Sequence, residues 1–188
     1  MSIKLQNVTF SYKDTPVLKN FSLEVKNGET VALKGESGSG KTSIARLVLG
    51  LEKANEGKVT APEKVAAVFQ EDRLLPTLTV RKNVSIVAKE NDKTDYLLKM
   101  ANLDKVADKK VWQLSGGMKR RVAILRAINF GGEALILDEA FNGLDPENKR
   151  LMAELIKEEY KKKPILLISH INEDADLLNA RTVTLEKI

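Results

Sequence analysis

Residues 35–42 read Gly35-Glu36-Ser37-Gly38-Ser39-Gly40-Lys41-Thr42, and the parsing of the whole 188-residue chain starts from them. The run satisfies G-x-x-x-x-G-K-[ST] in full. It also stands in the context that gives the pattern meaning: residues 30–34 before it read as a buried strand, and residues 41–51 after it have helical character. Glycines let the backbone fold around phosphate oxygens and present a row of N–H donors. The opening of the following helix adds about half a positive charge. Lys41 supplies a full charge to the outer phosphates of a nucleotide, and Thr42 offers a hydroxyl to Mg²⁺.

Working outward, residues 3–10 and 20–25 are rich in β-formers, and Phe21, Leu23 and Val25 alternate with polar residues. Asn27-Gly28, between Val25 and Thr30, is a strong hairpin signal and predicts a hairpin there. Residues 64–69 read as another strand. The middle of the chain changes character, and residues 79–89, 94–102 and 115–130 predict helices with no strand between them. Then βα alternation resumes: strand 134–137, helix 146–161, strand 164–169, helix 172–179, strand 181–186. Asp145-Pro146 places a good N-cap before a proline at the first helical position. The pattern predicts an α/β core interrupted by a helical insert over residues 74–130.

Composition narrows the function classes. Hydrophobic residues make up 43% and charged residues 30%, a balance that predicts one ordinary globular domain with a core large enough to need no staples. Cysteine is absent, which excludes disulfides, thiolate metal sites and cysteine nucleophiles. A single histidine excludes a histidine-rich metal cage. The net charge of +5 is short of the concentrated basic stripe of a nucleic-acid binder. The clusters Lys109-Lys110, Lys119-Arg120-Arg121 and Lys161-Lys162-Lys163 read as solvated helix ends and faces, with attraction to an anionic membrane surface as the minority reading. No apolar run approaches the ~20 residues that span a bilayer, and MSIKLQNVTF lacks the pattern of a signal peptide. Work at a membrane would therefore require another chain as anchor.

Two more stretches carry chemistry. Ala134-Leu135-Ile136-Leu137-Asp138-Glu139 is an apolar strand ending in two carboxylates. Ligands of a parallel sheet sit beyond the carboxyl ends of its strands, so Asp138 is placed to hold Mg²⁺ and Glu139, facing another way, to polarise a water. Leu114-Ser115-Gly116-Gly117-Met118 precedes a helix of basic and apolar residues; Ser115 is a natural N-cap, and the two glycines leave N–H groups open to an anion.

In this order and over nearly the whole chain, the three stretches resemble the ATP-binding subunit of an ABC transporter. Residues 35–42 resemble its Walker A loop, 134–139 its Walker B strand with the catalytic glutamate, and 114–118 its signature. The resemblance implies the α/β P-loop NTPase (RecA-like) fold, with an antiparallel β subdomain and an inserted α-helical subdomain. It implies ATP hydrolysis with Mg²⁺. Nucleotide contacts are implied for Tyr12, which matches the aromatic that stacks on adenine, for Gly35, Ser37, Gly38, Ser39, Gly40, Lys41, Thr42 and Ser43, and for Ser115, Gly116, Gly117 and Asp145. Gln70, after the strand over 64–69, matches the Q-loop glutamine, which touches Mg²⁺ and the water; Thr42, Gln70 and Asp138 are the implied metal residues. Asn142-Gly143-Leu144-Asp145 falls where the D-loop lies. His170 matches the switch histidine, so Glu139, His170 and Gln70 are the implied catalytic residues.

The family's signature closes on ATP held by another subunit. The resemblance thus implies a second ATP-binding subunit, expected as a homodimer sandwiching two ATPs. It also implies a transmembrane permease, a substrate-binding protein, and a peripheral place on the inner face of the cell membrane. The run FQEDRLLPTLTVRKNV, residues 69–84, and Met118 in the signature most resemble importers of the nitrate, sulfonate and taurine group. An exporter or a lipoprotein-release ATPase is the alternative among transporters. A soluble ABC ATPase is disfavoured because the stretch from Gln70 to Ser115 is too short for a coiled-coil arm. A GTPase or small-molecule kinase is disfavoured because N-K-x-D is missing and a kinase has no use for residues 114–118. Glu139 and His170 speak against a regulatory module without turnover. The chain departs from the pattern in three places. It stops soon after residues 181–186, leaving no expected room for a regulatory C-terminal domain. Trp112, just before the signature, reads as a structural aromatic, with packing against a partner as the second reading. Arg120 stands where many relatives have a second glutamine.

Overall fold

Alternate side chains of the parallel strands feed two different cores, and this division organises the molecule. The computed structural model describes residues 2–88 and 92–188. Five strands, β3 (Thr30–Lys34), β5 (Val65–Val68), β6 (Ala134–Asp138), β7 (Ile165–Ile168) and β8 (Arg181–Thr184), form a parallel sheet in the order β5-β6-β7-β3-β8. Every residue of β6 and β7 is buried, which is why they read as continuous apolar runs rather than alternating ones. Along β6, Leu135 and Leu137 join one core while Ala134 and Ile136 join the other; Val31 and Leu33 of β3 part from Ala32 in the same way.

The first core lies between the sheet and the helices α4 (Gly116–Asn129) and α5 (Pro146–Glu159), and extends into the insert with α2 (Val80–Ser85) and α3 (Thr94–Met100). The second lies between the sheet, α1 (Lys41–Val48) and an antiparallel sheet ordered β2-β1-β4. That sheet comprises β1 (Ile3–Tyr12), β2 (Thr15–Val25) and β4 (Glu56–Thr60). A last helix, α6 (Asn172–Leu177), precedes β8. Asp145 caps α5 by accepting the Asn148 N–H at 2.9 Å, Ser115 caps α4 by accepting the Met118 N–H at 3.3 Å, and Thr79 caps α2.

Four readings of the sequence need correction. The hairpin lies not at Asn27-Gly28 but at Lys13-Asp14, where Tyr12 pairs with Thr15. Asn27-Gly28 does form a turn, closed by the Glu29 N–H on the Lys26 carbonyl at 3.0 Å with Gly28 at φ +72°, but it passes the chain from the antiparallel sheet to the parallel one. A two-residue turn signal reports the local bend; which sheet takes the next strand is settled by where its side chains are buried. Second, β4 was not anticipated. It is an exposed strand, Glu-Gly-Lys-Val-Thr, whose glycine permits contact: a Cβ on Gly57 would lie 2.4 Å from the carbonyl oxygens of Gln6 and Asn7. Third, Arg120 and Arg121 are buried, each 8% exposed, rather than on a solvated face. Fourth, Trp112 is 60% exposed and no part of the described chain covers it. The insert's first helix is shorter than expected, and the expected end at Lys89 lies outside the described residues. Between α3 and α4 the chain makes two short 3₁₀ turns, Asp104–Val106 and Val111–Gln113.

Candidate active site

All five parallel strands point their carboxyl ends the same way, and the register brings Asp138 beside Ile168 and Leu33 beside Ile168. The loops leaving β3, β5, β6 and β7 therefore converge. There a pocket of about 510 Å³ is lined by Gly35, Ser37, Gly38, Gly40, Lys41, Thr42 and Ser43 from the glycine loop, by Gln70, by Asp138 and Glu139, by His170, and by Tyr12.

The glycine loop has the backbone the motif requires. Gly38 and Gly40 take φ of +81° and +101°, and a Cβ on Gly40 would meet a Val17 methyl at 2.8 Å. No side chain caps α1 and no acid stands in its first turn, so the opening N–H groups are left for an anion. Lys41 Nζ donates to the carbonyls of Gly35 at 2.8 Å and Glu36 at 2.7 Å, arching over the loop. Ser39 is the exception among the loop residues: it is buried beneath the loop, with its hydroxyl 3.5 Å from Lys41 Nζ. Free donors, a full positive charge and a backbone bent around an open cradle fit a polyphosphate.

The two carboxylates separate as the sequence suggests. Thr42 donates to Asp138 Oδ2 at 3.3 Å. Burial pushes the Asp138 carboxyl above the usual carboxylate range, and Glu139 beside it adds to this; the Thr42 hydroxyl, Lys41 and Arg120 work against the shift. A buried carboxylate with a hydroxyl at its side and an incomplete counter-charge is a fitting donor set for Mg²⁺. Among the described residues no three acidic or histidine side chains gather as an all-protein metal cage. Glu139 takes φ +51°, a left-handed conformation that turns its side chain out of the strand's alternation. It accepts a hydrogen bond from Asn142 Nδ2 at 3.1 Å, and His170 Nδ1 lies 3.0 Å from its Oε1. Carboxylate and imidazole thus form a pair that can hold and deprotonate a water.

The His170 segment is braced from behind. Asp174, fully buried, accepts Lys149 Nζ at 2.9 Å and the Ser169 hydroxyl at 2.7 Å, and Ser169 accepts the Ile171 N–H at 3.1 Å. Sequence reading missed Asn142 as a partner of the glutamate, and it missed Lys149, Ser169 and Asp174; an Asp in the first turn of a helix that also carries an apolar face gave no hint of burial. Tyr12 is 42% exposed at the pocket's edge and packs edge-on against Phe10, with ring centroids 4.8 Å apart, leaving a ring face for a base.

Ser115, Gly116, Gly117 and Asp145 do not line this pocket. They form a second cluster, in which a Cβ on Gly117 would lie 3.2 Å from the Gly143 carbonyl. Ser115, Gly116 and Asp145 are exposed. Arg121 lies beneath, donating to the Ala101 carbonyl at 2.6 Å; burial lowers its pKa, and the nearby Asp145 charge offsets part of that.

Comparison with known proteins places this geometry. A family model described as ABC transporter matches residues 18–142. An aliphatic sulfonates import ATP-binding protein of Granulibacter bethesdensis is 38% identical over 98% of this chain and 79% of its own length. A spermidine/putrescine import ATP-binding protein of Mannheimia succiniciproducens is 33% identical, and this chain spans 55% of it. A Nod factor export ATP-binding protein of Burkholderia pseudomallei is 34% identical, and this chain spans 68% of it. Among solved structures, an ATP-binding subunit of an ABC transporter superposes with a TM-score of 0.90 at 25% identity, covering 98% of this chain and 86% of that one. The dimeric structure of a bacterial ABC transporter cassette gives a TM-score of 0.84 at 30% identity, covering 98% of this chain and 94% of the other.

Proposed function

The chain belongs to the ABC transporter ATP-binding family, a family of ATP hydrolases with the P-loop NTPase fold, and from that premise we propose that two copies close head to tail around two ATP molecules and drive import through separate membrane subunits. One observation carries the reading. The phosphate pocket and the Ser115–Gly117 grip each offer a helix start with no acid in its first turn, which suits an anion, yet the grip does not line the pocket. Facing a second copy, each grip reaches the nucleotide in the other's pocket.

In the closed pair, Tyr12 stacks on the base and the 35–43 loop with Lys41 binds the phosphates. Ser115 and the Gly117 N–H approach the terminal phosphate from across the interface, beside Asp145. Thr42, Asp138 and Gln70 would hold Mg²⁺, which when bound neutralises charge on the phosphates. Glu139 accepts the proton of the attacking water while His170 holds that water in line. Closure excludes bulk solvent, and loss of the terminal phosphate removes the bridge between the halves, which then separate.

An apolar groove of about 310 Å³, bordered by Leu51, Phe69, Val87 and Phe130 and adjoining the Gln70 segment, supports docking of a permease helix. With a permease as anchor, the chain works on the inner face of the membrane beside a substrate-binding protein; no helix among the described residues is long and apolar enough to cross a bilayer. The sulfonates-import relative and the run over residues 69–84 favour import, while the similarity to Nod factor export proteins supports the second reading. Stimulation of ATPase activity by a substrate-binding protein in the co-purified membrane complex separates the two. The dimer is tested with Glu139→Gln: in Mg-ATP it elutes as a stable homodimer with little turnover. A variant that binds ATP and stays monomeric overturns the head-to-tail site.

A further inference from the structure

We propose that Arg120 is a positioning residue for Gln70, tying the segment that carries this glutamine to the same helix whose first turn is the Ser115–Gly117 grip. β5 is an edge strand whose ladder ends where Val68 pairs with Leu137, so the carbonyls of Phe69 and Gln70 have no strand partner. Arg120 takes that place. Its two terminal nitrogens donate to the Phe69 carbonyl at 2.7 Å and to the Gln70 carbonyl, and its side chain is 10% exposed. Its Nε lies 3.3 Å from Asp72 Oδ1, close enough for charge pairing but not aligned as a hydrogen bond; that buried oxygen has no hydrogen-bond partner among the described residues.

Further along α4, Arg126 donates to the carbonyls of Asp72 and Arg73 at 2.9 Å each, and Arg73 lies over the Phe69 ring at 3.9 Å with φ +48°. Two guanidinium groups from one helix thus hold four carbonyls of a five-residue loop. Gln70, Glu71 and Arg73 are exposed, so water could serve this loop at a lower desolvation cost than buried guanidinium groups, whose burial lowers the Arg126 pKa. A planar fork that bridges two adjacent carbonyls does what water cannot: it fixes the direction from which the Gln70 side chain enters the pocket. Because Arg120 and Ser115 share one helix, displacement of the grip on a partner's nucleotide moves the Gln70 backbone with it.

The inference rests on the proposed role of Gln70, and a kinetic cycle separates the two. ATPase activity and the Mg²⁺ dependence of the full chain are measured for Gln70→Ala, Arg120→Met and the double variant. A misplacement of about 1 Å at a catalytic group costs up to ~100-fold, so Arg120→Met, which removes every donor at similar length, is expected to lower kcat about 10-fold and raise the Mg²⁺ requirement. The KM for ATP stays within about twofold because Arg120 does not line the pocket. In the Gln70→Ala background the Arg120 change has no further effect. Arg120→Lys, which keeps the charge but reaches one carbonyl, recovers part of kcat, and it serves as the probe if Arg120→Met does not fold. Additive losses in the double variant overturn the inference. A Gln70→Ala variant with unchanged kcat and Mg²⁺ dependence overturns the reading of Gln70 beneath it.

Discussion

Replacing Asp174 with alanine tests whether the brace behind His170 matters to the fold and to the reaction. Its carboxylate is fully buried and its partner, the Lys149 side chain, is 11% exposed, so neither water nor another acid can easily take its place. Removing one member of a buried pair costs about 3–5 kcal/mol; the slight access of Lys149 to solvent favours the lower end, about 3 kcal/mol. The Ser169 hydroxyl loses its acceptor as well, adding about 1 kcal/mol. The sum, about 4 kcal/mol, corresponds to a fall in melting temperature of about 8–16 °C for a domain of this size. The assay is urea unfolding without nucleotide, because bound ligand would mask the loss by mass action; the midpoint falls while the slope is unchanged. ATPase activity under folding conditions falls too, since the Ser169 hydroxyl that receives the Ile171 N–H is no longer held. Replacing both partners, Lys149→Met with Asp174→Leu, restores most of the stability because no charge is then stranded. A single variant that loses less than about 1 kcal/mol, or a double variant as unstable as the single one, would refute the reasoning.

Three further outcomes follow from the geometry. Lys41→Ala weakens ATP binding about 10- to 100-fold by calorimetry, the equivalent of one charge-assisted contact; unchanged affinity removes the phosphate-loop assignment. Gly57→Ala destabilises by about 2 kcal/mol or more, because its φ of +83° and the two carbonyls at 2.4 Å leave no room for a Cβ, whereas Gly131→Ala, at φ +69° in open space, loses about 1 kcal/mol. Asp138 is raised above its unfolded value by burial, so the folded protein holds that proton more tightly. Its stabilising contribution is complete below the unfolded pKa of about 3.9 and is lost as pH rises through the folded value. Asp138→Asn therefore raises the melting temperature of the nucleotide-free protein at neutral pH, with the difference vanishing towards pH ~3. Equal melting temperatures at neutral pH would contradict the buried charge.

The order of chemical parts was determined by the sequence alone. A glycine run between strand and helix, an apolar strand ending in two carboxylates, and a serine–glycine helix start are each local signals, because the backbone freedom, the period and the cap they depend on span only a few residues. Tertiary structure decided what those signals could not carry. It showed that the turn at Asn27-Gly28 joins two sheets, that an exposed Glu-Gly-Lys-Val-Thr segment becomes a strand against β1, and that Arg120, from within a basic cluster, turns inward with Arg126 to hold the Gln70 segment. It also separated the Ser115–Gly117 grip from the pocket that Asp138, Glu139 and His170 share. Which partner a charge or a free backbone group finds depends on chain segments 20 to 50 or more residues away, as between Arg120 and Phe69 or Arg121 and Ala101. Only packing of the two cores against the parallel sheet sets those distances.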